Sequence, residues 1–137
     1  MNVESPKIRQ GQTISKEYRI TDEIHEIFSE LFGDRNPLHV DDKYAVSKGF
    51  HAKVVHGAVL GGFLSNFIGM ELPYKNVVIH SLEIDFVKPN YVGDYLRIEA
   101  RVDQVSEAVK VFVLKINIMN LMRGYVCAKA KVQVGIL

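Results

Sequence analysis

Four segments in the second half of the chain alternate apolar and polar residues with a period of two. In 77–87, Leu82, Ile84 and Phe86 share one side, opposite Ser81, Glu83 and Asp85. In 95–102, Leu96, Ile98, Ala100 and Val102 oppose Tyr95, Arg97, Glu99 and Arg101. Phe112, Leu114, Ile116 and Ile118 share a face of the next segment. In the last, Val126, Ala128, Ala130, Val132 and Val134 oppose Cys127, Lys129, Lys131 and Gln133. Successive strand side chains point to opposite faces, so each segment predicts a half-buried antiparallel strand. Gly93-Asp94, Ser106-Glu107 and Arg123-Gly124 punctuate them as turns.

The first half reads differently. Residues 14–20 alternate well enough for a short strand. Thr21 is a helix cap, and Asp22 and Glu23 suit the positive end of a helix dipole. Ile24, Ile27, Phe28 and Leu31 then follow helical spacing, and Gly33 stops the helix. Asp41 or Asp42 starts a short helix through Tyr44 and Ala45, closed by Gly49. From His56 to about Met70 the chain is apolar on nearly every side, which predicts a helix buried all round. Gly57, Gly61 and Gly62 lower its intrinsic stability and let other backbone or a ligand come close. The order is one strand, helices, one fully apolar helix and about four long strands. It predicts an α+β domain over residues 13–137, a long buried helix wrapped by a curved antiparallel sheet. Residues 1–12 are polar, with few apolar positions, and are expected to be a flexible N-terminal segment.

The chain's 137 residues suffice for one domain with a substantial core. Its net charge of +1 gives no electrostatic reason to expect nucleic acid or an anionic membrane as partner. The single cysteine, Cys127, excludes an intrachain disulfide framework and reads as a passive strand thiol. The start of the chain lacks the apolar core of a signal peptide. The stretch 54–72 is interrupted by His56, Ser65, Asn66 and Glu71, so a buried helix explains it better than a membrane span. The expectation is a cytoplasmic protein.

One stretch carries candidate chemistry: Phe32-Gly33-Asp34-Arg35-Asn36-Pro37-Leu38-His39. It sets a carboxylate and an imidazole five residues apart. Pro37 fixes its own φ and pushes Asn36 out of the helical region. Asp34 and His39 are therefore expected on a stiff, non-helical connection that holds both against one water or substrate atom. General acid–base catalysis requires that kind of placement. The same run also fits a plain turn, with Asp34 capping and His39 exposed. Asn36 is expected to brace the loop. His56 reads as a helix-start cap or supporting group, and His25 and His51 as surface residues. Asp34, His39, His51 and His56 form no tight cluster in sequence, so no metal is expected. Glu83 and Asp85 read as a solvated strand face, and Lys88 and Arg97 as surface charges that a phosphate could also meet.

Gly-Asp-x-Asn-Pro-Leu-His, followed six positions on by Ala45, resembles the signature of the MaoC-like, (R)-specific enoyl-CoA hydratases. His56-Gly57, opening the apolar segment, is similar to that family's second marker. The resemblance covers nearly the whole chain, from about Gln12 to the end. It implies a hot-dog fold, a homodimer, and Asp34 and His39 as the catalytic pair. The expected reaction is hydration of a trans-2-enoyl thioester to the (R)-3-hydroxyacyl thioester, or the reverse dehydration. The substrate would be carried on CoA or on a carrier protein, and no cofactor is implied. The backbone N–H of Gly57 is the candidate donor to the thioester oxygen, because amides at a helix N-terminus are unpaired. A thioesterase and a non-catalytic acyl-thioester binder of the same fold are the alternatives. Two positions depart from the family's pattern. Phe32 stands where a small residue is usual, and Gly61-Gly62 where a hydroxyl residue is common; both bear on the width of the acyl site.

Overall fold

Thr21 caps α1 (Asp22–Phe32) by accepting the Ile24 N–H at 3.1 Å, and Gly33 ends it with φ of 69°. That left-handed conformation favours glycine. These are features of the computed structural model, which describes residues 7–137. Upstream of α1 lies β1 (Thr13–Arg19); downstream come α2 (Pro37–Val40) and α3 (Asp42–Ser47), the latter capped by Asp41. α4 spans Ala58–Asn66 and runs on through a π-helical turn, Phe67–Glu71. Four strands follow: β2 (Val77–Phe86), β3 (Tyr95–Ser106), β4 (Val111–Asn120) and β5 (Tyr125–Ile136). Of the expected flexible segment 1–12, residues 1–6 lie outside the described residues. Within the rest, Ile8 packs in the core and the Gly11 N–H bonds the Val102 carbonyl at 2.8 Å.

The strands form one antiparallel sheet in the order β1-β3-β4-β5-β2. Leu60, Leu64, Phe67 and Ile68 of the helix join one core with Leu96, Ile98, Phe112, Leu114, Ile118 and Val132 of the strands. Burying each such side chain contributes roughly 1.5–3 kcal/mol. This is the α+β hot-dog arrangement expected from the pattern and the resemblance.

Three expectations need correction. The helix is buried on one face only: Ala58, Gly62, Ser65 and Met70 are exposed. Small and apolar residues on that face produced the all-apolar reading. Second, α2 is a helical turn, so His39 does not sit on a non-helical connection. Pro37 occupies its first position, where a missing N–H does no harm, and Asn36 caps it. Third, Cys127 is fully buried although its alternation assigned it to the polar side. Register shifts between Ile118 and Met119, so that Ala128 and Val126 face consecutive β4 residues. Cys127 is the extra residue, and a bulge turns such a residue off the regular alternation. Its thiol donates to the Ile118 carbonyl at 3.3 Å, and burial pushes its pKa up.

Edge strand β2 is the least covered. Leu82 and Phe86 point to the same side as the buried residues of β5, yet are 39% and 59% exposed. Among the described residues, no helix is long and apolar enough to cross a membrane.

Candidate active site

The structure brings Asp34, His39 and His56 together. His39 Nε2 and His56 Nε2 lie 4.0 and 3.9 Å from Asp34 Oδ2. Exposure grades across the three: the Asp34 side chain is 50% exposed, His39 17% and His56 3%. A half-open carboxylate thus stands in front of two progressively buried imidazoles. The His39 and His56 rings stack at 4.0 Å between centroids.

Backbone carbonyls fix the ring protons, because a carbonyl only accepts. His39 Nδ1 donates to the Val54 carbonyl at 2.7 Å, so in the neutral ring the lone pair is on Nε2, the nitrogen nearer Asp34. His56 Nε2 donates to the Asp34 carbonyl at 2.8 Å. His56 is therefore not a helix-start cap: Gly57 is the N-cap of α4, and His56 holds the Asp34 loop. Asn36 works from within that loop. Its Oδ1 accepts the Leu38 N–H at 3.1 Å, and its own N–H donates to Asp34 Oδ1 at 3.3 Å.

His25 is a supporting residue, although the sequence predicts it on the surface. It is buried, and its Nε2 donates to the His39 carbonyl at 2.8 Å. Burial lowers its pKa, the His39 hydrogen bond opposing that shift. The signal was its place beside Ile24 and one turn before Phe28 and Ser29 on the inward face of α1. Phe28 packs on His56 at 4.7 Å and on Phe32 at 4.8 Å. Phe32 itself is largely exposed. His51 is exposed, as expected, and Arg97 pairs with Glu17 away from this cluster.

Gly57 adjoins the cluster. The His56 and Gly57 carbonyls accept from Val59 and Leu60 N–H. Gly57 and Ala58 N–H make no hydrogen bond among the described residues, as expected for the first amides of a helix. A Cβ on Gly57 would lie 2.9 Å from the Phe86 ring, so glycine permits that ring to cover the start of α4.

Asp34, His39 and His56 each offer a ligand atom within 4.8 Å of the others, a tighter group than the sequence spacing implied. The His56 Nε2 proton is committed to the Asp34 carbonyl, however, which leaves two ligand atoms of this group, on Asp34 and His39, facing the gap. That gap is suited to a small neutral molecule. Nε2 and Oδ2 at 4.0 Å are too far apart for a direct hydrogen bond, while one water reaches both at about 2.8 Å.

Known proteins resemble the chain in sequence and in fold. The family model "MaoC like domain" matches residues 4–118. An (R)-specific enoyl-CoA hydratase of Aeromonas caviae is 29% identical over 120 residues, covering 88% of each chain. An enzyme of the same name from Rhodospirillum rubrum is 31% identical over 87 residues, covering 64% of this chain and 60% of that protein. The solved (R)-hydratase of A. caviae, described as involved in PHA biosynthesis, superposes with a TM-score of 0.87. It is 26% identical, with 97% of this chain and all of that one covered. With five-sixths of its length matched by that model, the chain belongs to the MaoC-like domain family.

Proposed function

We propose that this chain is a hydro-lyase that adds water to trans-2-enoyl thioesters to give (R)-3-hydroxyacyl thioesters, and catalyses the reverse dehydration. The observation that carries the reading is the water-sized gap between the His39 Nε2 lone pair and Asp34 Oδ2. In hydration, the water oxygen forms the bond to Cβ as one of its O–H bonds breaks. The π pair moves through Cα onto the thioester as an enolate. His39 Nε2 takes the released proton while Asp34 orients the water, and the proton is returned to Cα. One water held on one side of the alkene gives syn addition. The Gly57 N–H donates to the thioester oxygen, where an unpaired amide at a helix N-terminus stabilises the developing charge. Asn36, His56 and His25 hold the loop, and neither a metal nor a separate cofactor enters. The thioester's carrier, CoA or a carrier protein, belongs to the substrate.

The same reading makes the molecule a homodimer. Among the described residues β2 is an unpaired edge carrying Val78, Leu82 and Phe86 in exposed positions, with Val87 exposed just past its end, and pairing two such edges about a two-fold axis covers them.

Loss of the enone absorbance of crotonyl-CoA and of a longer trans-2-enoyl-CoA tests the activity, with free thiol followed in parallel. Absorbance loss without thiol release, abolished in Asp34→Asn and His39→Ala, is the expected result. Thiol release instead marks a thioesterase, and binding without turnover marks an acyl-thioester binder.

A further inference from the structure

A second polar cluster lies behind the first. Asp94 and Asn120 are fully buried and Asn90 nearly so. Asp94 Oδ2 accepts from Asn120 Nδ2 at 2.7 Å, Arg123 Nε at 2.9 Å and the Tyr91 N–H at 3.0 Å. Arg123 Nη2 reaches Oδ1 at 3.2 Å, which makes the pair a two-pronged one, and the guanidinium lies over the Tyr91 ring at 4.3 Å. Asn120 Nδ2 also donates to Asn90 Oδ1 at 2.9 Å. Its Oδ1 accepts the Met122 and Arg123 N–H groups at 3.1 and 3.0 Å, pinning the β4–β5 turn. A buried network with its members satisfied is rigid.

The network leads to both walls of the active site. The Asn90 carbonyl accepts the Val55 N–H at 2.9 Å, and the neighbouring Val54 carbonyl is the acceptor for His39 Nδ1. On the other wall, the Asp94 carbonyl accepts the Ile20 N–H at 2.9 Å and the Gly93 N–H donates to Ile20 at 2.7 Å. Ile20 directly precedes the cap of α1, the helix that brings His25 to the His39 carbonyl. The loop between β2 and β3 therefore clasps the two segments that hold His39.

We propose that Arg123, Asp94, Asn120 and Asn90 are positioning residues for His39, acting through the Val54 carbonyl to keep its proton on Nδ1 and its Nε2 lone pair toward Asp34. The proposal rests on His39 being the proton carrier of the hydration reaction. Loosening the clasp frees the Val54 carbonyl to shift, and His39 loses the bond that selects its tautomer. Substrate contacts stay in place, so the loss falls on kcat and not on KM.

The test uses two variants of the full chain, Arg123→Gln, at a partly exposed position, and Asn90→Ala, which removes the Asn120 acceptor. Nitrogen-15 NMR of the imidazoles reads the His39 tautomer, and steady-state kinetics on crotonyl-CoA reads the rate. Expected are the appearance of the Nε2–H form of His39 and a loss of about tenfold in kcat with KM within about twofold. His39 remaining wholly in the Nδ1–H form in both variants, with kcat unchanged or lowered only as far as melting explains, overturns the proposal. The two readings fail separately. A wild-type chain that hydrates no enoyl thioester ends the functional proposal, while the tautomer measurement still judges the clasp.

Discussion

The Asp34–His39 segment and strand β4 are held by opposite means. In the first, polar side chains are fixed by single hydrogen bonds to backbone carbonyls, and the carboxylate remains half in water. In the second, Phe112, Leu114, Ile116 and Ile118 are buried between α4 and the neighbouring strands. Removing an exposed polar group leaves little unsatisfied, whereas removing a core side chain leaves a cavity. Rate and stability are therefore carried by different residues and are separable by substitution.

The sharpest test of that separation is Asp34→Asn, which keeps shape and removes the charge. Enoyl-CoA hydration is expected to fall by about 10²–10⁴-fold with the melting temperature within a degree or so. A matching fall in melting temperature would show that the loop also carries stability. Leu114→Ala is the mirror experiment. Denaturant unfolding is expected to show a loss of about 2–5 kcal/mol, while the folded fraction keeps its kcat. Gly57→Ala lies between the two regions. The new methyl meets the Phe86 ring, and kcat/KM is expected to drop by about tenfold, equivalent to about 1.4 kcal/mol. Adding Phe86→Ala removes the clash and restores most of the rate if displacement of the ring is the cause.

The smallest effect concerns pH. Burial lowers the His25 pKa below its ordinary 6.5, so the unfolded chain binds that proton more readily than the folded one. The group's contribution is full above pH 6.5 and is lost as pH falls through the folded value. Urea midpoints measured from pH 7.5 down to 5 should decline less steeply in His25→Gln than in the wild type. Parallel declines would remove His25 from the account.

Local rules were legible in the sequence. Thr21, Gly33 and Asp41 mark helix ends through interactions that reach only a few residues, and the period-two strands follow from one apolar face. Asp34 and His39 were legible because one short run carries both. What escaped depends on partners distant in sequence. The bulge at Cys127 is a relation between two strands, and alternation within one strand cannot reveal it. The outward face of α4 and the uncovered end of β2 look apolar in sequence whether or not anything packs on them. The Asn90–Asp94–Asn120–Arg123 network joins two turns, neither of which is distinctive alone.

The place of Cys127 also shapes how the chemistry can be observed. Its sulfur is sealed beneath the β4–β5 bulge, bonded to a carbonyl and held as the unreactive thiol. A disulfide reagent added to the native protein during turnover therefore meets only thiols released into solution, so the signal that would betray thioester cleavage has no background from the enzyme. The same sulfur becomes reactive when the sheet opens, and its labelling rate in the absence of substrate is a direct clock for that opening.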